Sequence, residues 1–237
     1  MNNIAIIVLY SFFSGITVLI GALLARTFER LAVSKIRDEF VHATIAFGGG
    51  VLMAAVAFVL TPLAIDTLSL ALIGVIFLSG GLSFFLIDML IAKKGGSIAQ
   101  LMAMLMDFVP EAIALGATFA HNRQLGLLLA IFIGLQNLPE SFNAYRDLRS
   151  TGYSPNRCIQ LFAPLSLVGI LSALLGSYFL SDKPLLVTSL MLFASGGIVY
   201  LVFQDIVPMS KIKNNWVPAL GGTLGFFIGI VGKKICG

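Results

Sequence analysis

Long apolar runs alternate with short polar breaks along almost the whole chain. Eight runs stand out, at about 3–25, 40–64, 69–92, 98–121, 125–145, 157–180, 185–207 and 216–235. A helix of about 20 apolar residues crosses the hydrocarbon layer of a bilayer, and each run reaches that length. The pattern predicts an all-α fold: a polytopic membrane bundle of eight transmembrane helices, forming one transmembrane domain over residues 1–237. Most connections are short, so sequence neighbours are expected to be antiparallel neighbours in space. The longest charged connection runs from Arg26 to Glu39. The first run, Ile4 to Ala25, is too long for the apolar part of a signal peptide, and its basic residue, Arg26, follows it.

Composition sharpens this reading. Hydrophobic residues make up 58% of the chain and charged residues 11%, where soluble domains carry about 25% charge. The mean hydropathy is +1.00. Lipid is the solvent that such a surface suits, and an integral protein of the cell membrane is expected. The net charge of +4 resides in loops. Alternate loops hold Arg26, Arg30, Lys35, Arg37, Lys93, Lys94, Arg146, Arg149, Arg157, Lys211 and Lys213, against Arg123, Lys183, Lys233 and Lys234 on the other side. Basic loops stay in the cytoplasm, which predicts both termini outside. No cluster of basic and aromatic residues suggests a nucleic-acid partner. Cys158 and Cys236 do not make a disulfide framework. The glycines at 48–50, 80–81, 196–197 and 221–222 are expected to let helices pack closely.

Ionisable residues inside a membrane span are costly and mark function. Of eleven acidic residues, Glu29, Asp38, Glu39, Asp66, Asp147 and Asp182 fall in loops or at helix ends, and Asp88 and Asp205 near cytoplasmic ends. Asp107, Glu111 and Glu140 fall well inside apolar sequence. The fourth run reads Asp107-Phe108-Val109-Pro110-Glu111 and the fifth Gln136-Asn137-Leu138-Pro139-Glu140. In each, an oxygen-bearing side chain precedes a glutamate by four positions, so both lie on one helix face. Each glutamate directly follows a proline, which cannot donate the helical hydrogen bond and is expected to kink the helix and free a carbonyl. Three carboxylates facing one another in low dielectric call for compensation by a cation, and a set of Asp, Glu, Gln and Asn suits a divalent metal with oxygen affinity. A structural, hydrogen-bonded polar cluster is the plainer alternative.

Weaker candidates surround this pair of motifs. Met53 follows the glycine run of the second helix and offers a thioether. Asp88, Gln204 and Asp205 are placed to line a cytoplasmic exit. His42 and His121 lie near helix ends and read as interfacial. No HExxH, GxSxG, Walker or Rossmann motif appears in a fitting context, so no cofactor is expected.

On these residues the chain resembles the ZIP (Zrt/Irt-like) metal transporters. The stretches DFVPEAIALG (107–116) and QNLPESFNAY (136–145) match the family's helix-four motif, His-Asn-x-Pro-Glu-Gly, and its helix-five counterpart. FGGGVLMAA (47–55), LVGILSALLG (167–176) and FASGGIVYLVFQDIVP (193–208) are similar to its helices two, six and seven. The resemblance implies eight helices, both termini outside, and a metal path between helices four and five. It assigns the metal site to Asp107, Glu111, Gln136 and Glu140, with Met53 as a neighbour and Asn137 as a remnant of a second, adjoining site. The departures have chemical consequences. Asp107 stands where the family has His, Phe108 where it has Asn, Ala112 and Ser141 where it has Gly, and Gly169-Ile170 where it often has Glu-Pro. Neither Phe108 nor Gly169 supplies a ligand, so a single-metal site is expected. Loss of the imidazole shifts preference from zinc toward harder ions such as manganese or iron(II).

The sequence therefore reads as a non-enzymatic carrier that moves a divalent cation (zinc, manganese or iron(II)) toward the cytoplasm. Its expected partners are the cation as substrate, the lipid bilayer and, as an assembly left open, a second copy in a homodimer. The alternatives are a non-transporting metal sensor or scaffold, and a carrier of protons or another small solute on the same frame.

Overall fold

Helices begin and end where the sequence supplies stop and start signals. Asn122 accepts a hydrogen bond from the Leu125 amide at 3.0 Å and Ser154 from the Arg157 amide at 3.3 Å, capping two helix starts. Pro155 and Pro184 occupy first-turn positions, where their missing N–H costs nothing. Two residues before the Ser154 cap, Gly152 takes a φ of +95° that a side chain would resist.

A computed structural model describes residues 3–31, 35–94, 99–119 and 121–236. Its helices are α1 (Asn3–Glu29), α2 (Lys35–Ala55), α3 (Pro62–Thr67), α4 (Leu70–Lys94), α5 (Ala99–Phe119), α6 (Arg123–Ser150), α7 (Pro155–Phe179), α8 (Pro184–Leu201), α9 (Val207–Ser210) and α10 (Val217–Cys236). A π-helical turn, Val56–Leu60, joins α2 to α3, and another, Val202–Ile206, joins α8 to α9. Among the described residues, eight helical stretches are long and apolar enough to cross a membrane, as expected. The second, Ile36–Thr67, outruns its apolar stretch at both ends, and toward Pro62 the π turn carries the helix on. The side chains of Lys35 and Lys94, counted among the basic loops, lie outside what is described.

The helices pack as α1 with α6 and α7, α5 with α6 and α7, α2 with α10, and α4 with α8; α2–α6 and α5–α8 contacts join these groups. The α1 stripe Ile7, Ser11, Ser14, Val18, Ala22 and Ala25 is buried at helical spacing. Glycines set the closest approaches. A β-carbon on Gly116 would strike the Ala173 carbonyl, and one on Gly50 the Gly222 carbonyl. The glycine pairs at 80–81, 196–197 and 221–222 thus serve the close packing expected of small residues in lipid.

Side-chain bonds sort the loops into two ends. Arg26 bonds Asn156 at 2.9 Å, Arg149 bonds Glu29 at 2.8 Å and Asn215 bonds Glu39 at 2.8 Å, which gathers predominantly basic loops at one end. At the other end Arg123 bonds Asn3 at 2.9 Å and His121 bonds the Ser181 carbonyl at 2.7 Å. The space around Gly232, near the chain's end, includes Leu128 in the early part of α6. The two termini therefore share an end of the bundle, as an even number of crossings requires.

Candidate metal centre

The two motifs meet where α5 crosses α6. Asp107 and Glu111 lie one turn apart on α5, and Gln136 and Glu140 one turn apart on α6. Asp107 and Glu111 are buried at 3% and 2% exposure, and Gln136 and Asn137 at 0%. The Gln136 amide donates a hydrogen bond to Glu111 Oε2. Asp107 Oδ1 accepts from the backbone N–H of Phe108 at 2.8 Å. The Asn137 amide turns to α1 and donates to the Ser14 carbonyl at 3.3 Å. The charge of Asp107 reaches Glu111, and both reach Glu140.

The decisive feature is an excess of acceptors. Both Glu140 oxygens, Gln136 Oε1 and Asn137 Oδ1 are buried and lack a hydrogen-bond partner among the described residues. Buried acceptors without partners cost about 1–3 kcal/mol each, more when charged. The three on Gln136 and Glu140, one helical turn apart and beside two further carboxylates, form a site in want of a cation or of protons. Among the described residues no three His, Cys, Asp or Glu side chains already converge as metal ligands. Glu111 accepts from Gln136 through Oε2, which leaves its Oε1 to take part in coordination.

Glu140 stands between two small cavities. One, of about 20 Å³, is lined by Asp107, Glu140 and Asp205 together with Leu52, Met104, Ile198 and Leu201. It has room for about one water molecule. The other, of about 10 Å³, is lined by Gly48, Pro139, Glu140, Asn143 and Met209. Asp205 thus joins two of the central carboxylates, and it lies in the π turn of Val202–Ile206, a local geometry common at functional sites. Asp88 sits farther along, accepting a 2.8 Å hydrogen bond from Tyr200, within electrostatic reach of Asp205. Gln204 is exposed and lines neither cavity.

Met53 differs from the expectation. It lines a separate apolar cavity of about 440 Å³ among α2, Val202–Ile206 and α10. Ile45, Gly48 and Leu52 are the α2 residues that line the cavities beside Glu140. One position along a helix is a turn of about 100°, enough to carry the thioether to another face. Asn143 and Met209 were not singled out by sequence; Asn143 lies one turn after Glu140, and only that spacing hinted at it.

The chain matches no protein-family model. Over 119 residues it is 32% identical to the zinc transporter GufA of Myxococcus xanthus, a match that covers 50% of this chain and 47% of that protein. The match therefore spans about half the length of its curated relative. The eight apolar helices mark an integral membrane protein.

Proposed function

We propose that this protein is a ZIP-like carrier that moves a divalent metal cation across the cell membrane toward the cytoplasm, through a single site between α5 and α6. The observation that carries this reading is the set of unpartnered buried oxygens on Gln136 and Glu140 beside Asp107 and Glu111. A divalent cation compensates such a set better than any protein donor present, and oxygen ligands of this kind suit zinc, manganese or iron(II). Similarity to a zinc transporter over half the chain supports metal transport as the class of activity. In this reading Asp107, Glu111, Gln136 and Glu140 hold the ion. Asp205 and then Asp88 receive it on the way out, and rocking of one helix group against the other alternates access.

The test is uptake into proteoliposomes loaded with a divalent-metal dye, for zinc, manganese, iron(II) and cadmium. Wild-type flux that disappears in a folded Glu111→Gln/Glu140→Gln variant supports the carrier. Absence of flux for every metal, with both proteins folded, would sink it in favour of a sensor, a scaffold or a carrier of another solute.

A further inference from the structure

The basic end of the bundle, where α1 and α6 finish and α2 begins, holds a cavity of about 280 Å³. Its floor is aromatic, with Phe28 and Phe142 edge to face at 5.7 Å. Its rim carries three guanidinium groups, of Arg37, Arg146 and Arg149. Arg149 is committed: it pairs with Glu29 at 2.6 Å and also donates to the Tyr153 carbonyl. The second Glu29 oxygen accepts from Tyr145 at 3.1 Å, so the acid is fully engaged. Arg146 is not. It is half-buried and, among the described residues, makes no hydrogen bond or ion pair. The charges within its reach are Arg37, of like sign, and Asp38. Arg37, whose guanidinium also donates to the Leu31 carbonyl at 2.7 Å, brings a second positive charge to the rim beside Arg146.

We propose that this cavity binds a phosphate group, carried either by an anionic phospholipid headgroup or by free inorganic phosphate. Neighbouring guanidiniums in a partly dry cleft repel one another, and an anion between them turns that repulsion into attraction. The planar fork of arginine matches phosphate oxygens two at a time. Basic pockets between helices at the membrane edge are the usual seats of lipid headgroups. The aromatic floor accepts the apolar part of a lipid beneath its phosphate. The same positive rim repels a cation, which separates this cavity from the carboxylate-lined ones around Glu140. The inference does not depend on the transport reading.

The experiment measures binding to the purified full chain in neutral detergent, by native mass spectrometry and by thermal melting. The probes are phosphatidylglycerol, phosphatidylcholine as the neutral control, and inorganic phosphate. Phosphatidylglycerol is expected to bind in preference to phosphatidylcholine. Arg146→Gln should weaken it about tenfold, the loss of roughly one charge-assisted hydrogen bond. Arg30→Gln, outside the cavity, should leave it unchanged. If inorganic phosphate fails to displace the lipid, the ligand is a headgroup; if it binds and displaces the lipid, the ligand is free phosphate. Where Arg146→Gln does not fold, Arg37→Gln decides. Equal response to both lipids with none to phosphate, or wild-type affinity in every folded arginine variant of the rim, overturns the proposal.

Discussion

The ring of Phe108 occupies the space beside Gly169: a β-carbon built on that glycine would stand 2.6 Å from Phe108 Cζ. These are the two positions at which the chain departs from the ligands of a second metal site in the family it resembles. They are in contact, and a fully buried phenyl ring fills the room between α5 and α7 that side-chain ligands would need. The substitutions therefore read as one coupled change rather than two losses. Gly169→Ala is expected to lower stability by about 1–3 kcal/mol through overpacking. Phe108→Leu should relieve part of that cost in the double variant. Thermal melts of the four proteins in detergent give the coupling; strictly additive effects would contradict the contact.

Removing charge from the carboxylate cluster should have opposite effects on the empty and loaded protein. Asp107, Glu111 and Glu140 act on one another electrostatically. Glu111→Gln/Glu140→Gln removes that repulsion, so the variant should melt no lower than wild type without metal. Wild type should gain about 2.7 kcal/mol at a metal concentration a hundredfold above Kd, and the variant none. Melting curves with and without each metal check both halves.

Asp205 is expected to affect passage more than capture. It lines the 20 Å³ cavity with Asp107 and Glu140 but belongs to the turn Val202–Ile206, outside the two proline–glutamate motifs. Asp205→Asn should slow uptake by about tenfold, equivalent to roughly 1.4 kcal/mol in the barrier. Metal-dependent stabilisation should change by less than that factor. A variant with normal flux would remove Asp205 from the path.

The pair formed by Glu29 and Arg149 clamps the end of α1 to the end of α6 at 2.6 Å, with Tyr145 as a third member. Both charged side chains are about one-third exposed (36% and 29%), so solvent screens the pair. Glu29→Gln should cost at most about 1 kcal/mol, and the difference from wild type should shrink in high salt. Melts at two ionic strengths measure it.

Much of this was legible in the sequence because lipid enforces simple rules. Eight runs of sufficient length became eight helices, and the matched spacing of Asp107–Glu111 and Gln136–Glu140 put all four side chains at one crossing. Local distortions were less legible. Pro110 and Pro139, expected to kink their helices, lie inside α5 and α6, which continue past both. The distortions lie ahead of Pro62 and Pro208, where π turns let the Thr61 amide reach the Val56 carbonyl and the Val207 amide the Val202 carbonyl. A proline crowds the carbonyl four residues before it, and either a small bend or a widened turn relieves that. Packing decides between them, and packing is not local in sequence. Met53, expected as a neighbour of the metal site, lines another cavity; sequence sets which residues share a helix face, not how that face is rotated toward its neighbour.

Asp107 sets the last expectation, which concerns the identity of the metal. It stands where the related motif carries an imidazole, and it lines the small cavity with Glu140 and Asp205. An all-oxygen set of Asp107, Glu111, Gln136 and Glu140 lacks the nitrogen donor that favours zinc over manganese. Asp107→His supplies that donor and removes one negative charge from a site where three carboxylates act on one another electrostatically. The nitrogen donor strengthens zinc selectively, whereas the lower charge weakens the electrostatic hold on every divalent ion alike, so the donor alone sets the ratio. Zinc uptake relative to manganese should therefore rise by about tenfold or more in the variant, roughly 1.4 kcal/mol of discrimination. Competition uptake in proteoliposomes, with both metals present, reads the ratio directly. An unchanged ratio in a folded, transporting variant would mean that residue 107 does not touch the ion, and the site would then have to be built from Glu111, Gln136 and Glu140 alone.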